Sequence, residues 1–431
     1  MSPEIVGVIG IAVLVIFLFA GMWIGFAIGL VGFLGFAYVG GIGPALKVLA
    51  TVPYRSVADY TLSVLPLFVL MGTVTANTGM SEELYRTARA WVGHRRGGLC
   101  MATSIACAAF AAICGTSSAG CVTLGKVAVP EMNRYNYDES LGSACVCAGS
   151  TLGILIPPSL GFIVYGILTE QPIGKLYMAG ILPGILLTTL FIVTVAIVSW
   201  KNPHAAPPGP KTSFRQKITS LRSTWSMLTL FVLIMGGIYG GIFTATEAGA
   251  IGAFGALVIS ALGRRLTLQN LFTSLREAAQ ITGMILAIII GAFIFMRFMA
   301  ITKLPFGLAE IVGTLHMSRY GILASIIFLY IILGMFLEIY SSIVLTIPIL
   351  FPTISSMGFD PIWFGVITVI LIEMGMITPP VGLNVFILSG VTGTPIDVIF
   401  RGVWVFVAAM LICIIILTIF PQIALFIPNM M

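Results

Sequence analysis

The residues best placed to do chemistry come as two matched constellations. Ala112-Ile-Cys-Gly-Thr-Ser-Ser-Ala-Gly120 sets Gly, Ser and Thr between two apolar half-helices, and Glu338-Ile-Tyr-Ser-Ser342 repeats the arrangement later. A small polar tip in apolar surroundings needs its backbone groups satisfied, so it is either buried in protein or lines a wet cavity. An ordinary surface turn is the other reading, since Gly and Ser are turn formers. The matching of the two tips favours a lined site. The second constellation is a pair of Pro-Pro breaks, Gly153-Ile-Leu-Ile-Pro-Pro158 and Gly375-Met-Ile-Thr-Pro-Pro380. Proline removes a backbone donor and clashes with the preceding turn. Two in succession unwind the helix and free carbonyl oxygens for a hard cation, while the helix that follows presents amide donors to an anion.

Three side chains add to these. Glu338 and Glu373 stand in apolar runs, where a carboxylate is costly and becomes a functional candidate. Glu338 precedes the second tip and can support a cation site. Glu373 either couples to transport or pairs with a basic residue such as Arg297. Asn384, just after the second Pro pair, offers a side-chain amide to a substrate carboxylate or to a neighbouring helix. Six of the seven cysteines fall between Cys100 and Cys147, four of them spaced by seven residues. No His lies among them, so small packing residues are expected rather than a metal site. His94, His204 and His316 all fall in connectors, which leaves no base for a Ser–His dyad, and no phosphate-binding loop is present. An enzyme is not expected.

The elements that must position these residues are membrane helices. Of 431 residues, 59% are apolar and 8% are charged, against roughly 25% charged in a soluble domain. Apolar runs long enough to span a bilayer recur, as at Gly180–Ser199, Met227–Phe243 and Val403–Phe420. This excludes a soluble enzyme, a nucleic-acid binder and a disulfide scaffold, and the unbroken runs argue against a β-barrel. The N-terminal run lacks a positive flank and reads as a first span rather than a cleaved signal.

The chain is a duplication. Pro130 and Pro352 each precede an Asp (Asp138, Asp360) by eight residues, and each Asp precedes a Pro pair by nineteen. Thr169-Glu-Gln-Pro172 and Thr392-Gly-Thr-Pro395 follow in the same order, and a Gly stands four residues before each Pro pair. The expected organisation is a first repeat over 1–200 (hairpin 99–130, broken helix 140–169), a basic connector over 201–222 and a second repeat over 223–431 (hairpin 320–352, broken helix 361–390). Each half holds five crossings, spans near 5–20, 22–40, 62–79, 140–169 and 177–200 in the first, so the second copy must be inverted. With the N-terminus outside, one side receives 15 of the 21 Lys and Arg. The positive-inside rule makes that side cytoplasmic and both termini periplasmic. The fold class is therefore an all-α polytopic membrane protein of two inverted repeats, each with a re-entrant hairpin and a Pro-Pro-broken helix.

Over nearly the whole chain the sequence resembles the large membrane (M) subunit of tripartite ATP-independent periplasmic (TRAP) transporters. The resemblance rests on Gly149-Ser-Thr-Leu-Gly-Ile-Leu-Ile-Pro-Pro-Ser159, Gly174-Lys-Leu-Tyr-Met-Ala-Gly-Ile-Leu-Pro-Gly184, Ile377-Thr-Pro-Pro-Val-Gly-Leu-Asn384 and His94-Arg-Arg-Gly-Gly98. It implies an elevator-type secondary transporter in the bacterial inner membrane, driven by sodium (Na+) with no organic cofactor. It also implies a small membrane (Q) subunit, a periplasmic substrate-binding (P) protein, and a small organic anion as cargo, such as a C4-dicarboxylate or sugar acid. Carried over, the first sodium site would involve Ser117, Ser118, Gly153 and Pro157, mainly through backbone carbonyls. The second would involve Ser341, Ser342, Gly375 and Thr378, with substrate between the tips near Ser118, Ser342 and Asn384. The family often has Asp where this chain has Glu338. A stand-alone carboxylate carrier or antiporter of similar architecture is the alternative, and a channel the more distant one.

Overall fold

The computed structural model describes residues 2–307, 310 and 318–431; His316 lies outside them. Among the described residues every regular element is a helix. Six helices are long and apolar enough to cross a membrane, or up to eight if each bent pair counts as one span. The chain is a multi-pass membrane protein.

Helix ends are set by residues the sequence marks clearly. Ser2 caps Pro3–Phe19, with proline at the first helical position, where its missing N–H is harmless. Asp138 accepts a hydrogen bond from the Leu141 amide (3.0 Å), and Asp360 accepts from the Ile362 and Trp363 amides (2.8 and 3.0 Å). The duplicated aspartates are thus N-caps, one on each interrupted helix. Ser213 with Gln216 and Thr244 with Glu247 form capping boxes on Phe214–Tyr239 and Ala245–Leu262.

Both tips are the turns of helix–turn–helix pairs. The first joins Gly98–Cys114 to Ser117–Arg134 through Gly115 and Thr116 alone. Gly115 is left-handed (φ 67°) and Thr116 extended, which reverses the chain in two residues. The arms therefore run further than half-helices: 17 and 18 residues, or about 26 Å each at 1.5 Å per residue. The second pair joins Arg319–Gly334 to Ile339–Ser356.

The two Pro pairs interrupt helices as expected. Glu139–Leu155 and Leu160–Thr169 meet at a 42° bend. In the second copy Pro361–Gly375 is separated from Leu383–Thr392 by a longer break, closed by a hydrogen bond from the Asn384 amide to the Met376 carbonyl (3.0 Å). The restarts differ. Ser159 caps the first, accepting from the Phe162 amide (3.2 Å), whereas Gly382 in the left-handed region (φ 62°) opens the second.

Packing exchanges the two halves. Each hairpin lies against the first piece of its own broken helix and the last piece of the other. Gly125, on the second arm of the first hairpin, faces Leu388; Gly161, on Leu160–Thr169, faces Ile339 of the second hairpin. Tyr165 ties the same layers by donating to the Pro361 carbonyl (2.6 Å). Ile173–Lys201 and Ile396–Ile419 meet beside them, with Phe191 and Phe406 edge to face at 5.6 Å. A second group packs around this one. Ile24–Gly40 approaches Leu268–Thr302 so closely that a Cβ on Gly32 would stand 2.7 Å from the Phe295 Cα. Val64–Asn77 is bonded to Leu268–Thr302 through Asn77, which donates to Glu277 (2.9 Å) and Ser274 (3.1 Å).

Three features depart from the sequence expectations. Residues Ile42–Val57 form a helix between the expected spans 22–40 and 62–79, where no element is expected. Pro44 falls in its first turn, where no amide partner is lost. In the second half the apolar run marks a span near 279–299, and the helix Leu268–Thr302 extends well beyond it. The connector is shorter than 201–222, because Phe214 already begins the next helix, and it is docked rather than free. Its Ala205 and Ala206 carbonyls accept from the Asp138 and Gly97 amides (2.8 and 2.9 Å), Gly209 donates to the Gly93 carbonyl (2.9 Å), and Thr212 donates to Ala90 (2.5 Å). Backbone groups of an apolar-faced connector need partners, and the Gly93–Gly98 turn supplies them.

Candidate functional site

Each hairpin tip rests on a glycine of a broken helix. A Cβ on Gly153 would stand 2.5 Å from the Thr116 carbonyl oxygen and 3.1 Å from the Ser117 nitrogen. A Cβ on Gly375 would stand 2.5 Å from the Gly334 Cα. The glycines four residues before each Pro pair are therefore the seats of the tips, and backbone meets backbone because no side chain intervenes. The first tip also reaches the break itself. The Leu160 amide donates to the Gly115 carbonyl (3.4 Å), and Gly115 lies against the Pro158 carbonyl.

Most of the expected site residues gather here. Ser117, Gly153 and Pro157 are buried at or next to the first seat; Ser341, Ser342, Gly375 and Thr378 are buried too, the serines in the first turn of Ile339–Ser356 and Gly375 as the second seat. Thr378 donates to the Met374 carbonyl (2.6 Å), which turns its hydroxyl oxygen toward further donors or cations. Ser341 donates to the Glu338 carboxylate (3.3 Å). The Ser342 hydroxyl is buried with no hydrogen-bond partner. Ser118 differs: it is exposed, on the open side of the helix start from its neighbour Ser117.

Asn384 sits at the crossing between halves. Its side chain is fully buried, and neither the amide nitrogen nor the oxygen has a partner. Its backbone carbonyl faces the thiols of Cys121 and Cys147 (3.7 and 3.6 Å), from the first hairpin and first broken helix. Cys121 also lies 2.8 Å from the Ser150 hydroxyl. The cysteines thus line the hairpin's contact with the broken helix, and all seven are buried and free. The seven-residue spacing from Cys100 to Cys121 runs through the Gly115-Thr116 turn, so Cys121 stands on the second arm and the other three on the first.

The acidic pair is placed differently from expectation. Arg297 is exposed and makes no ion pair with Glu373. Its position on Leu268–Thr302 turns away from the core, so proximity in membrane depth does not bring the two together. Glu373 is 1% exposed and takes part in no ion pair among the described residues. The hydroxyl beside it is that of Ser117 in the first hairpin.

The site is thus a buried, oxygen-bearing centre made of two hairpin tips, two interrupted helices and the half-helix starts at Ser117, Leu160, Ile339 and Leu383. Freed carbonyls suit cations, and the amide-bearing helix starts suit anions. A multi-pass protein built in this way is a membrane transporter. The chain belongs to the family described as the tripartite ATP-independent periplasmic transporter, DctM component, which matches residues 11–423; it is a TRAP transporter large permease.

It is 37% identical over 386 residues to the C4-dicarboxylate TRAP transporter large permease protein DctM of Pseudomonas aeruginosa, covering 89% of this chain and 90% of that one. It is 30% identical over 414 residues to the sialic acid TRAP transporter large permease protein SiaM of Vibrio cholerae, covering 96% of each. An isethionate permease protein, DctMQ, of Oleidesulfovibrio alaskensis is 32% identical over 95% of this chain, which spans 64% of that longer protein. Among solved structures, the YdaH transporter of Alcanivorax borkumensis shares the fold with a TM-score of 0.61 at 15% identity, over 90% of this chain and 88% of that one.

Proposed function

We propose that this permease is the membrane subunit of a sodium-driven importer of a small organic anion, a carboxylate of the C4-dicarboxylate or sugar-acid kind. It works with a small membrane subunit and a periplasmic substrate-binding protein, in the bacterial inner membrane with both termini periplasmic. The longer DctMQ relative supports the small subunit, since about a third of that protein lies beyond the part this chain matches. The DctM relatives support a dicarboxylate, and the SiaM relative keeps a sugar acid in view. The two halves are inverted repeats whose hairpins re-enter from opposite sides. Sodium ions bind where Ser117, Ser118, Gly153 and Pro157 converge, and where Ser341, Ser342, Gly375 and Thr378 converge. The anion lies between the tips, near Ser118, Ser342 and Asn384. The hairpins and broken helices move as one body against the outer helices, as an elevator.

The single observation that carries this reading is the reciprocal seating of the tips, Thr116 on Gly153 and Gly334 on Gly375. Two like backbone sites on one body are what coupled binding of an ion and an anion at membrane depth requires. The test is reconstitution in proteoliposomes with the small subunit, the binding protein and labelled carboxylates. Uptake that needs both an inward sodium gradient and the binding protein is expected. Uptake indifferent to the binding protein would establish a stand-alone carrier instead, and uptake indifferent to sodium would remove the coupling ion.

A further inference from the structure

The Glu373 carboxylate is the most deeply buried charge among the described residues, and nothing in the chain neutralises it. It is 1% exposed, the hydroxyl at its oxygens is that of Ser117, and none of the ion pairs among the described residues includes it. Removing a carboxylate from water without a partner costs several kcal/mol, so its charge is met either by a proton or by a cation that the protein itself does not supply. Its surroundings say which kind. The polar group it faces is the Ser117 hydroxyl. Ser117 follows the Thr116 carbonyl seated on Gly153, and the Ser342 hydroxyl of the second hairpin is likewise buried and unpartnered. These are neutral oxygen donors. They suit a hard monovalent cation and offer nothing to a soft metal.

We propose that Glu373 is a direct ligand of the cation bound at the first hairpin tip, so that this ion is held jointly by the hairpin of one half and the broken helix of the other. The inference rests on the sodium-driven reading above and adds a side-chain carboxylate that backbone-carbonyl sites do not contain. It has a mechanical consequence. Glu373 lies two residues before Gly375, the seat of the second tip, on the last turn of Pro361–Gly375. An ion drawn to Glu373 fixes that helix end, and with it the surface on which Gly334 rests. Loading of the first site therefore prepares the second, and sodium binding is cooperative by a direct structural link.

The experiment uses the full chain purified with its small subunit, with sodium chloride titrated against choline chloride. Thermal stability is one readout and binding-protein-dependent uptake the other. For Glu373→Gln we expect the half-saturating sodium concentration to rise about tenfold or more and the Hill coefficient to fall by about one. In choline the same variant should melt no lower than the parent, since it sheds an uncompensated charge. An unchanged sodium curve in Glu373→Gln would overturn the assignment while leaving sodium coupling intact. Loss of sodium dependence in the parent protein would overturn the sodium reading itself, and the assignment with it. Should Glu373→Gln not fold, Glu373→Asp decides: the shortened carboxylate weakens sodium binding if it is a ligand, and an unshifted curve overturns the proposal.

Discussion

Gly375 and Gly334 lie so close that a Cβ on Gly375 would stand 2.5 Å from the Gly334 Cα. The first copy of the motif repeats the relation with different partners, Gly153 and the Thr116 carbonyl oxygen. Both contacts are backbone on backbone, so neither can relax by turning a side chain away.

Gly153→Ala and Gly375→Ala are accordingly expected to lower stability by about 1–3 kcal/mol each, the usual cost of overfilling a tight contact. Transport should suffer more than folding does, because the displaced backbone is the site. Gly236→Ala is the control: it lies in a helix with nothing within 4 Å, and alanine there should be neutral or stabilising by up to about 1 kcal/mol. Melting temperatures of the three purified variants decide the matter, and equal melting of all three would refute the seating.

Asn384 sets stability against function. Its buried amide has no partner in the resting protein, and an unpaired buried polar group costs about 1–3 kcal/mol. Asn384→Leu, similar in volume, should therefore melt at or above the parent temperature while uptake collapses. A variant that melts lower and still transports would show that Asn384 is structural.

Exposure separates adjacent serines. Ser117 is buried and Ser118 exposed, and all seven native thiols are buried. A maleimide should leave the folded parent unlabelled, react readily with Ser118→Cys and spare Ser117→Cys until the protein is denatured. Labelling of the parent before denaturation would contradict the burial of the cysteine line between the first hairpin and Glu139–Leu155.

The duplicated caps offer a symmetric test. Asp138→Ala and Asp360→Ala each remove a side-chain acceptor from a helix start, at an expected cost of about 0.5–2 kcal/mol. Asp360→Asn should be close to neutral, since asparagine caps as well. Asp138→Ala keeps the backbone amide that holds the Ala205 carbonyl, so the connector should stay docked, and limited proteolysis between Asn202 and Ser213 should be no faster than in the parent.

The sequence by itself determined the class and the parts. Composition demands a membrane; local punctuation marks the tips near Ala112–Gly120 and Glu338–Ser342 and the breaks at the two Pro pairs, while the structure narrows the turns to Gly115-Thr116 and to the residues between Gly334 and Ile339 and shows Asp138 and Asp360 to be caps. These signals are legible because each acts on its own turn of backbone, through a missing amide, a left-handed glycine or a side-chain acceptor a few residues away. The helix Ile42–Val57 is too short and too interrupted by Pro44 and Pro53 to read as a span, and it packs against Ile24–Gly40 and Leu268–Thr302. Only the tertiary structure decided which half meets which. Cys121 and Asn384 are 263 residues apart and yet touch; Glu373 faces Ser117 rather than Arg297; the connector docks on the Gly93–Gly98 turn. Hydrophobic periodicity says that a face is buried without naming what covers it. The covering surface is chosen by the packing of whole helices, in which small residues such as Gly125 and Gly161 let the hairpins of one half close against the broken helix of the other.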